Sequence, residues 1–255
     1  MLQRQSLSIV IITKNESELL TETLDSVYWA DEIILLDSGS SDATIKIASK
    51  YGVQIYESKN WMGFGKQRQL AQSFSTGDMI LMLDADERIT PELRHMIQKI
   101  LEEPASEKVY SFKRSNLFLG RFMRYSGWYP DRVIRLYPRK LCYNENLVHE
   151  SLNTQGAPII ALSGELKHLT CRDIIVFQHK QLNYAQAWAE GQFQRGRSCS
   201  IFSIFTHTIS GFLKTILLQR AFLDGKYGWI LAVVKAQYTF NKYLALWALH
   251  NTSRS

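Results

Sequence analysis

The first hundred residues alternate strand-like apolar runs with helical patterns, and nothing else in the chain constrains its fold as strongly. The runs are Leu7–Ile12, Glu32–Leu36, the short Val53–Tyr56 and Met79–Leu83. Between them, Leu19, Leu20, Leu24 and Val27 recur at helical spacing. So do Ile45, Ile47 and Ala48, and a third helix is predicted over Phe64 to Phe74. Strands that are apolar almost throughout are buried on both faces. Repeated β-α units of this kind form a parallel sheet covered by helices on each side. The fold class is therefore α/β, and in such sheets ligands bind beyond the carboxyl ends of the strands.

Three polar clusters stand at those ends: Asn15-Glu16, Asp37-Ser38 and Asp84-Ala85-Asp86. Asp84 and Asp86 are the most informative. Two carboxylates pushed together repel each other, which points to a divalent cation between them. Oxygen ligands suit Mg²⁺ or Mn²⁺, and a diphosphate is a common further partner of such ions. The competing reading is that both acids merely cap the helix that follows. Thr90-Pro91-Glu92 does mark a helix start, with Thr90 as N-cap and Pro91 at the first position. Capping alone does not explain why three clusters converge on one edge. Gly63-Phe64-Gly65 fails as a dinucleotide fingerprint, since Arg68 follows and no apolar strand precedes it. No G-x-x-x-x-G-K-[ST] loop is present. A nucleotide here would be held by side chains and a metal.

Residues 104–170 read as mixed and β-rich, with strands expected at Val109–Lys113, Val133–Tyr137 and Ile159–Leu162. After Arg172 the pattern is helical. Ile201–Leu218 and Trp229–Leu249 are rich in aliphatic and aromatic residues with isolated Lys, His or Asn. The net charge of +6 is concentrated here, where nine Lys and Arg from Val176 onward face only Glu190 and Asp224. Such helices either lie on an anionic bilayer surface or pack internally with their lysine stems along apolar neighbours. No run of uninterrupted apolar residues reaches membrane-spanning length. Met1–Ser6 leads into the first strand without a signal-peptide core. Cys142, Cys171 and Cys199 lack zinc spacing and suit unpaired thiols in a reducing compartment. Dispersed basic residues without a recognition motif argue against nucleic acid as a partner.

Asp-x-Asp also occurs in haloacid dehalogenase phosphatases, but their motif sits on the first strand and continues to Thr or Val where Arg88 stands here. A fuller match covers roughly residues 6–150. It runs through Ser8-Ile-Val-Ile-Ile-Thr13-Lys14-Asn15-Glu16, Asp37-Ser38-Gly39-Ser40-Ser41-Asp42, Gly65-Lys66-Gln67-Arg68 and Gly77-Asp78 through Asp84-Ala85-Asp86-Glu87. In these motifs, and in their order, the chain resembles the inverting family 2 glycosyltransferases. The resemblance implies a GT-A (Rossmann-like) nucleotide-sugar-binding domain over 1–170, with 6–103 its nucleotide-binding half and 104–170 its acceptor half. Residues 171–255 then form a basic, amphipathic helical extension.

By the same resemblance Thr13, Asn15 and Glu16 line the donor nucleotide pocket and Asp37 bonds the uracil. Lys66 and Arg68 lie by the base and diphosphate, Asp84 by the ribose, and Asp86 binds Mg²⁺ or Mn²⁺. His168 completes the metal shell. An inverting transfer also needs a base for the acceptor hydroxyl, for which Glu150 in Val148-His149-Glu150 is the candidate, with Glu145 and Asp131 as rivals. Within the family, Trp128-Tyr129-Pro130-Asp131-Arg132-Val133-Ile134-Arg135-Leu136 and Val-His-Glu are similar to the lipopolysaccharide inner-core glucosyltransferases. That implies a UDP-sugar donor, a lipid A–core heptose acceptor and a peripheral position on the cytoplasmic face of the bacterial inner membrane. Other lipid-linked or polysaccharide acceptors, or a non-catalytic nucleotide-sugar-binding scaffold, are the alternatives.

Overall fold

A computed structural model describes residues 4–145 and 150–252. Val148 and His149 of the Val-His-Glu motif lie outside the described residues, whereas Glu150 lies within them. The chain divides into two compact units, Met1–Arg114 with Arg132–His168, and Ser115–Asp131 with Leu169–Ser255.

The first unit begins with the expected β-α alternation. Strand β1 (Leu7–Thr13) leads to helix α1 (Ser17–Val27), β2 (Glu32–Asp37) to α2 (Thr44–Lys50), and β3 (Gln54–Glu57) to α3 (Phe64–Ser73). Strand β4 (Met79–Asp84) follows, then the three-residue β5 (Glu87–Ile89) and α4 (Pro91–Glu102). Every residue of β1 is buried, as its place between two parallel neighbours requires. Alternate residues feed opposite cores. Leu7, Ile9 and Ile11 pack with Leu20 and Leu24 of α1 and Leu93 and Ile97 of α4. Val10 and Ile12 share the other core with Ala71 of α3 and with Tyr137.

Helix α4 starts as its sequence demands: Thr90 accepts the Leu93 N–H at 3.3 Å and Pro91 takes the first turn. The capping alternative for Asp84 and Asp86 therefore fails at α4. Thr90 holds that position, and β5 intervenes.

The remaining strands are β6 (Val109–Phe118), β7 (Arg121–Phe122), β8 (Asp131–Pro138) and β9 (Ile159–Cys171). The sheet order is β3-β2-β1-β4-β8-β6-β9-β5, with β7 paired to β6. Strands β1 to β4 are mutually parallel, whereas β8 runs antiparallel to β4 and β9 antiparallel to β5. The order reverses at β1, whose neighbours are β2 and β4. In a doubly wound sheet that is where a ligand crevice opens.

The second unit holds the helical tail: α5 (Ile174–Gln194), α6 (Ile201–Leu213), a π-helical turn (Lys214–Leu218), a 3₁₀ turn (Ala221–Asp224) and α7 (Lys226–Thr252). One break between the two units falls after His168. The tail, however, also takes Ser115–Asp131 into its own unit. The reason is apolar: Phe118 and Met123 share a core with Cys171, Leu231 and Val234. Ile201–Leu218 has a mean hydropathy of 1.5 over 18 residues, long and apolar enough by length and composition to cross a membrane. Its interspersed Ser and Thr residues and Lys214 hid it from a search for uninterrupted apolar runs.

Candidate active site

Strand register brings the three polar clusters to one edge. Thr13 pairs with Asp37 across β1 and β2, and Ile12 pairs with Asp84 across β1 and β4. The strand ends that carry Thr13, Asp37 and Asp84 are therefore level with one another.

At the β1 end the chain turns through Asn15, whose φ of +56° is a left-handed conformation that asparagine tolerates better than most residues. Its N–H donates to Ser40 Oγ and its Oδ1 accepts from the Ser41 N–H, both at 2.8 Å. The Glu16 N–H donates to Thr44 Oγ1 at 2.9 Å. These bonds tie the β1–α1 turn to the β2–α2 turn. Asp37 is buried and organises the second turn, its Oδ2 accepting the N–H groups of Gly39 at 2.8 Å and Ser40 at 2.7 Å. A carboxylate has about four acceptor positions, so this turn leaves Asp37 room for a further donor.

Helix α3 supplies the cations. Lys66 is half-exposed and its Nζ lies 3.4 Å from Glu145. Arg68 is buried and points its Nη2 at Asp84 Oδ1, 2.6 Å away, and its Nε at Glu150 Oε1, 3.3 Å away. Its guanidinium also lies over the Tyr143 ring, 5.3 Å from the centroid. Between them, Gln67 is fully buried and donates to Ser38 Oγ at 3.0 Å. Three buried atoms in this region, Thr13 Oγ1, Gln67 Oε1 and Arg68 Nη1, have no hydrogen-bond partner among the described residues. Buried polar atoms are seldom left so, and a polar ligand beside Thr13, Gln67 and Arg68 would satisfy them.

Asp84 is gripped from two sides. Arg135 of β8 places its Nη2 2.6 Å from Asp84 Oδ2, opposite the Arg68 contact. The same Arg135 nitrogen lies 2.8 Å from Glu87 Oε1, and Arg114 reaches that oxygen at 3.3 Å. Glu87 is fully buried, and its Oε2 accepts the Asp84 N–H at 3.1 Å. Burial opposes a charge on Asp84. The Arg135 and Arg68 guanidinium groups overcome that cost and hold its carboxyl far below the usual carboxylate range. Burial likewise opposes the charge on Arg68, but Asp84, Tyr143 and Glu150 together outweigh it, so its affinity for its proton rises.

Asp86 faces elsewhere. The antiparallel pairing of Glu87 in β5 with His168 in β9 brings His168 Nε2 within 3.2 Å of Asp86 Oδ2. An oxygen and an imidazole nitrogen at this separation can share one cation, and their chemistry fits Mn²⁺ or Mg²⁺ with diphosphate oxygens and water as further ligands. Among the described residues no group of three or more His, Cys, Asp and Glu is gathered as a metal site.

Of the expected site residues, the structure brings together Arg68, Asp84 and Glu150, and separately Asp86 and His168. Thr13 and Asp37 are paired in register at the same edge. Lys66 is paired to Glu145, outside the Asp84 cluster. Asp131, a rival base, belongs to the second unit and accepts from Asn116 Nδ2 at 3.3 Å. Sequence reasoning missed Gln67, Glu87 and Arg135. Each carried a signal: Gln67 and Glu87 lie inside quoted motifs, and Arg135 is a charge set between Ile134 and Leu136 of a strand. A charge in such a place needs a partner.

The model of glycosyl transferase family 2 matches residues 8–155, more than half of the chain and the β1–α4 region from its second residue on. The chain belongs to glycosyl transferase family 2. Its relatives agree over nearly its whole length. An uncharacterized glycosyltransferase of Rickettsia prowazekii is 26% identical, covering 98% of this chain and 88% of its own. The lipopolysaccharide core biosynthesis glycosyltransferase LpsC of Rhizobium meliloti is 28% identical, with coverages of 94% and 91%. Among solved structures, S. aureus TarS in complex with UDP-GlcNAc superposes with a TM-score of 0.52 at 16% identity, covering 98% of this chain and 91% of that one. The mannosyltransferase PcManGT from Pyrobaculum calidifontis, in complex with GDP-Man and Mn²⁺, gives 0.52 at 14% identity, with coverages of 99% and 80%. This family 2 glycosyltransferase thus has the GT-A, Rossmann-like fold, extended by a helical C-terminal region.

Proposed function

We propose that this family 2 glycosyltransferase moves a hexose, glucose in the first instance, from a UDP-sugar to a heptose hydroxyl of the lipopolysaccharide inner core, with inversion. The observation that carries the reading is the Asp86–His168 pair, 3.2 Å apart beside an Asp84 clamped by Arg68 and Arg135. The whole-length likeness to LpsC supports the acceptor class. The UDP-GlcNAc bound in TarS supports a uridine nucleotide donor, with Asp37 reading the base.

In this reading Thr13, Asn15 and Glu16 line the nucleoside, Lys66 and Arg68 meet the diphosphate, and Asp84 faces the ribose. Asp86 and His168 would hold Mg²⁺ or Mn²⁺, which when bound offsets the charge growing on the leaving diphosphate. Glu150 takes the proton of the attacking heptose hydroxyl as the new glycosidic bond forms and the bond to UDP breaks. Arg68 touches both Asp84 and Glu150, so one residue couples the donor pocket to the base. The protein works at the cytoplasmic face of the inner membrane, where a lipid-linked acceptor is presented.

The test is UDP release in the presence of Mn²⁺ and purified lipid A–core. Wild type is expected to turn over, and Asp86→Ala to lose about 100-fold or more in kcat, the scale of removing one group that stabilises developing charge. Equal release by the two proteins would overturn the metal assignment. No release by wild type with any UDP-hexose would favour a non-catalytic scaffold.

A further inference from the structure

Helix α6 buries one face and exposes the other. Ile204 is buried, as are Thr215 and Ile216 of the π-helical turn that follows, and Gly211 lies against Thr239 of α7 with room for no more than a methyl group. On the opposite face Phe202, Phe205, Ile209 and Leu213, spaced at helical intervals, are 46–77% exposed. The chain continues with exposed Leu217, Leu218, Phe222 and Leu223 in the two turns, then Trp229, Ile230 and Val233 at the start of α7. This is far more exposed apolar surface than single scattered residues require.

The charge on this segment is of one sign. Lys214, Arg220 and Lys226 are exposed among those apolar residues. From Gly191 to the end of the chain Asp224 is the only acid. It is fully buried and consumed internally, accepting the N–H groups of Arg124 at 3.1 Å and Tyr125 at 2.9 Å and the Ser126 hydroxyl at 2.9 Å. The accessible face is thus apolar and cationic. A second copy docked on it would bring Lys214, Arg220 and Lys226 against their own counterparts with no acid of this segment to receive them. An anionic lipid surface answers both the charge and the apolarity.

We propose that residues 201–233 dock on an anionic bilayer, with α6 lying flat in the interface rather than crossing it. Its apolar face enters the headgroup–acyl boundary and Lys214, Arg220 and Lys226 meet the phosphates. A helix with one face buried against its own protein has only the other to offer to lipid, so the length that would allow crossing is not used for it. The inference names the surface and the lipid chemistry behind the location assigned above, and its test does not use glycosyl transfer.

The full chain is mixed with vesicles of phosphatidylcholine alone, or of phosphatidylcholine with phosphatidylglycerol, and sedimented at low and high salt. Binding is expected only where phosphatidylglycerol is present, and weaker at high salt. Lys214→Gln/Arg220→Gln/Lys226→Gln is expected to lower partitioning by roughly 100-fold, about fivefold per cation. Phe205→Ser/Ile209→Ser is expected to abolish it with the circular dichroism spectrum unchanged. Alkaline carbonate should release the protein from vesicles. Equal binding to both vesicle types, or no effect of either variant, would overturn the proposal. So would retention in carbonate, which indicates a spanning helix. A dimer in light scattering that Phe205→Ser/Ile209→Ser dissociates would assign the face to a second copy instead.

Discussion

Asp84 shows how a strand-end acid is held by its neighbours. It ends β4, where the backbone runs out of parallel partners, and it would be costly there as a lone, partly buried charge. Arg68 and Arg135 answer that charge at 2.6 Å on each oxygen, and Glu87 answers Arg135 in turn. Removing one member of such a buried set strands the charge of another. Glu87→Ala is therefore expected to lower the unfolding free energy by about 3 kcal/mol, measured by urea denaturation. A midpoint within error of wild type would mean that Arg135 finds another acceptor. The pair Asp84 and Asp86 stood out in the sequence because two acids one residue apart need a reason to coexist. That Arg135 would answer Asp84 was not legible there, because that partner arrives from a strand 51 residues further along the chain.

Elements with a strong local signal formed where their residues said they would. Helix α4 has its cap, its proline and a buried stripe of Leu93, Ile97, Ile100 and Leu101. Strand β5 has no such signal. Glu87-Arg88-Ile89 is two-thirds charged and becomes a strand only because β9 pairs with it, Arg88 opposite Lys167. Strand β9 itself runs well past the expected Leu162 to Cys171, since Gly164 reads as an interruption. In the structure Gly164 has a φ of +90°, and a Cβ there would stand 2.8 Å from the backbone N and Cα of Leu93. Neither the conformation nor that backbone yields to a side chain. Gly164→Ala is expected to cost about 1–3 kcal/mol, read as a lowered thermal midpoint, and an unchanged midpoint would show that β9 can shift away from α4.

The whole chain is built from two compact units that are not consecutive in sequence. Ser115–Asp131 sits in the first half of the chain yet belongs with the tail. Asp224 holds its backbone at Arg124 and Tyr125, and Lys235 donates to the Ser126 carbonyl at 3.0 Å. A fragment ending at residue 170 would leave Phe118 and Met123 without Leu231 and Val234. Such a fragment is expected to aggregate in gel filtration and to bind a hydrophobic dye through the uncovered Phe118 and Met123, so that Phe118→Ser in the fragment lowers its dye signal. A monomeric, dye-silent fragment would show that 115–131 packs adequately without the tail.

Local periodicity was enough to establish the β-α alternation, the parallel sheet and the edge on which polar residues gather, because burial on both faces leaves its mark on every residue of a strand. The motifs then sufficed for the family. Which acid meets which cation depended on contacts between residues far apart in the chain, such as Glu87 with Arg135 and Asp84 with Arg135. Those contacts exist only once β5, β8 and β9 are laid into one sheet. The same holds for the tail: its apolar and basic composition was plain, but only the packed structure decided which face of α6 is turned inward, since helical periodicity marks a face without saying what covers it.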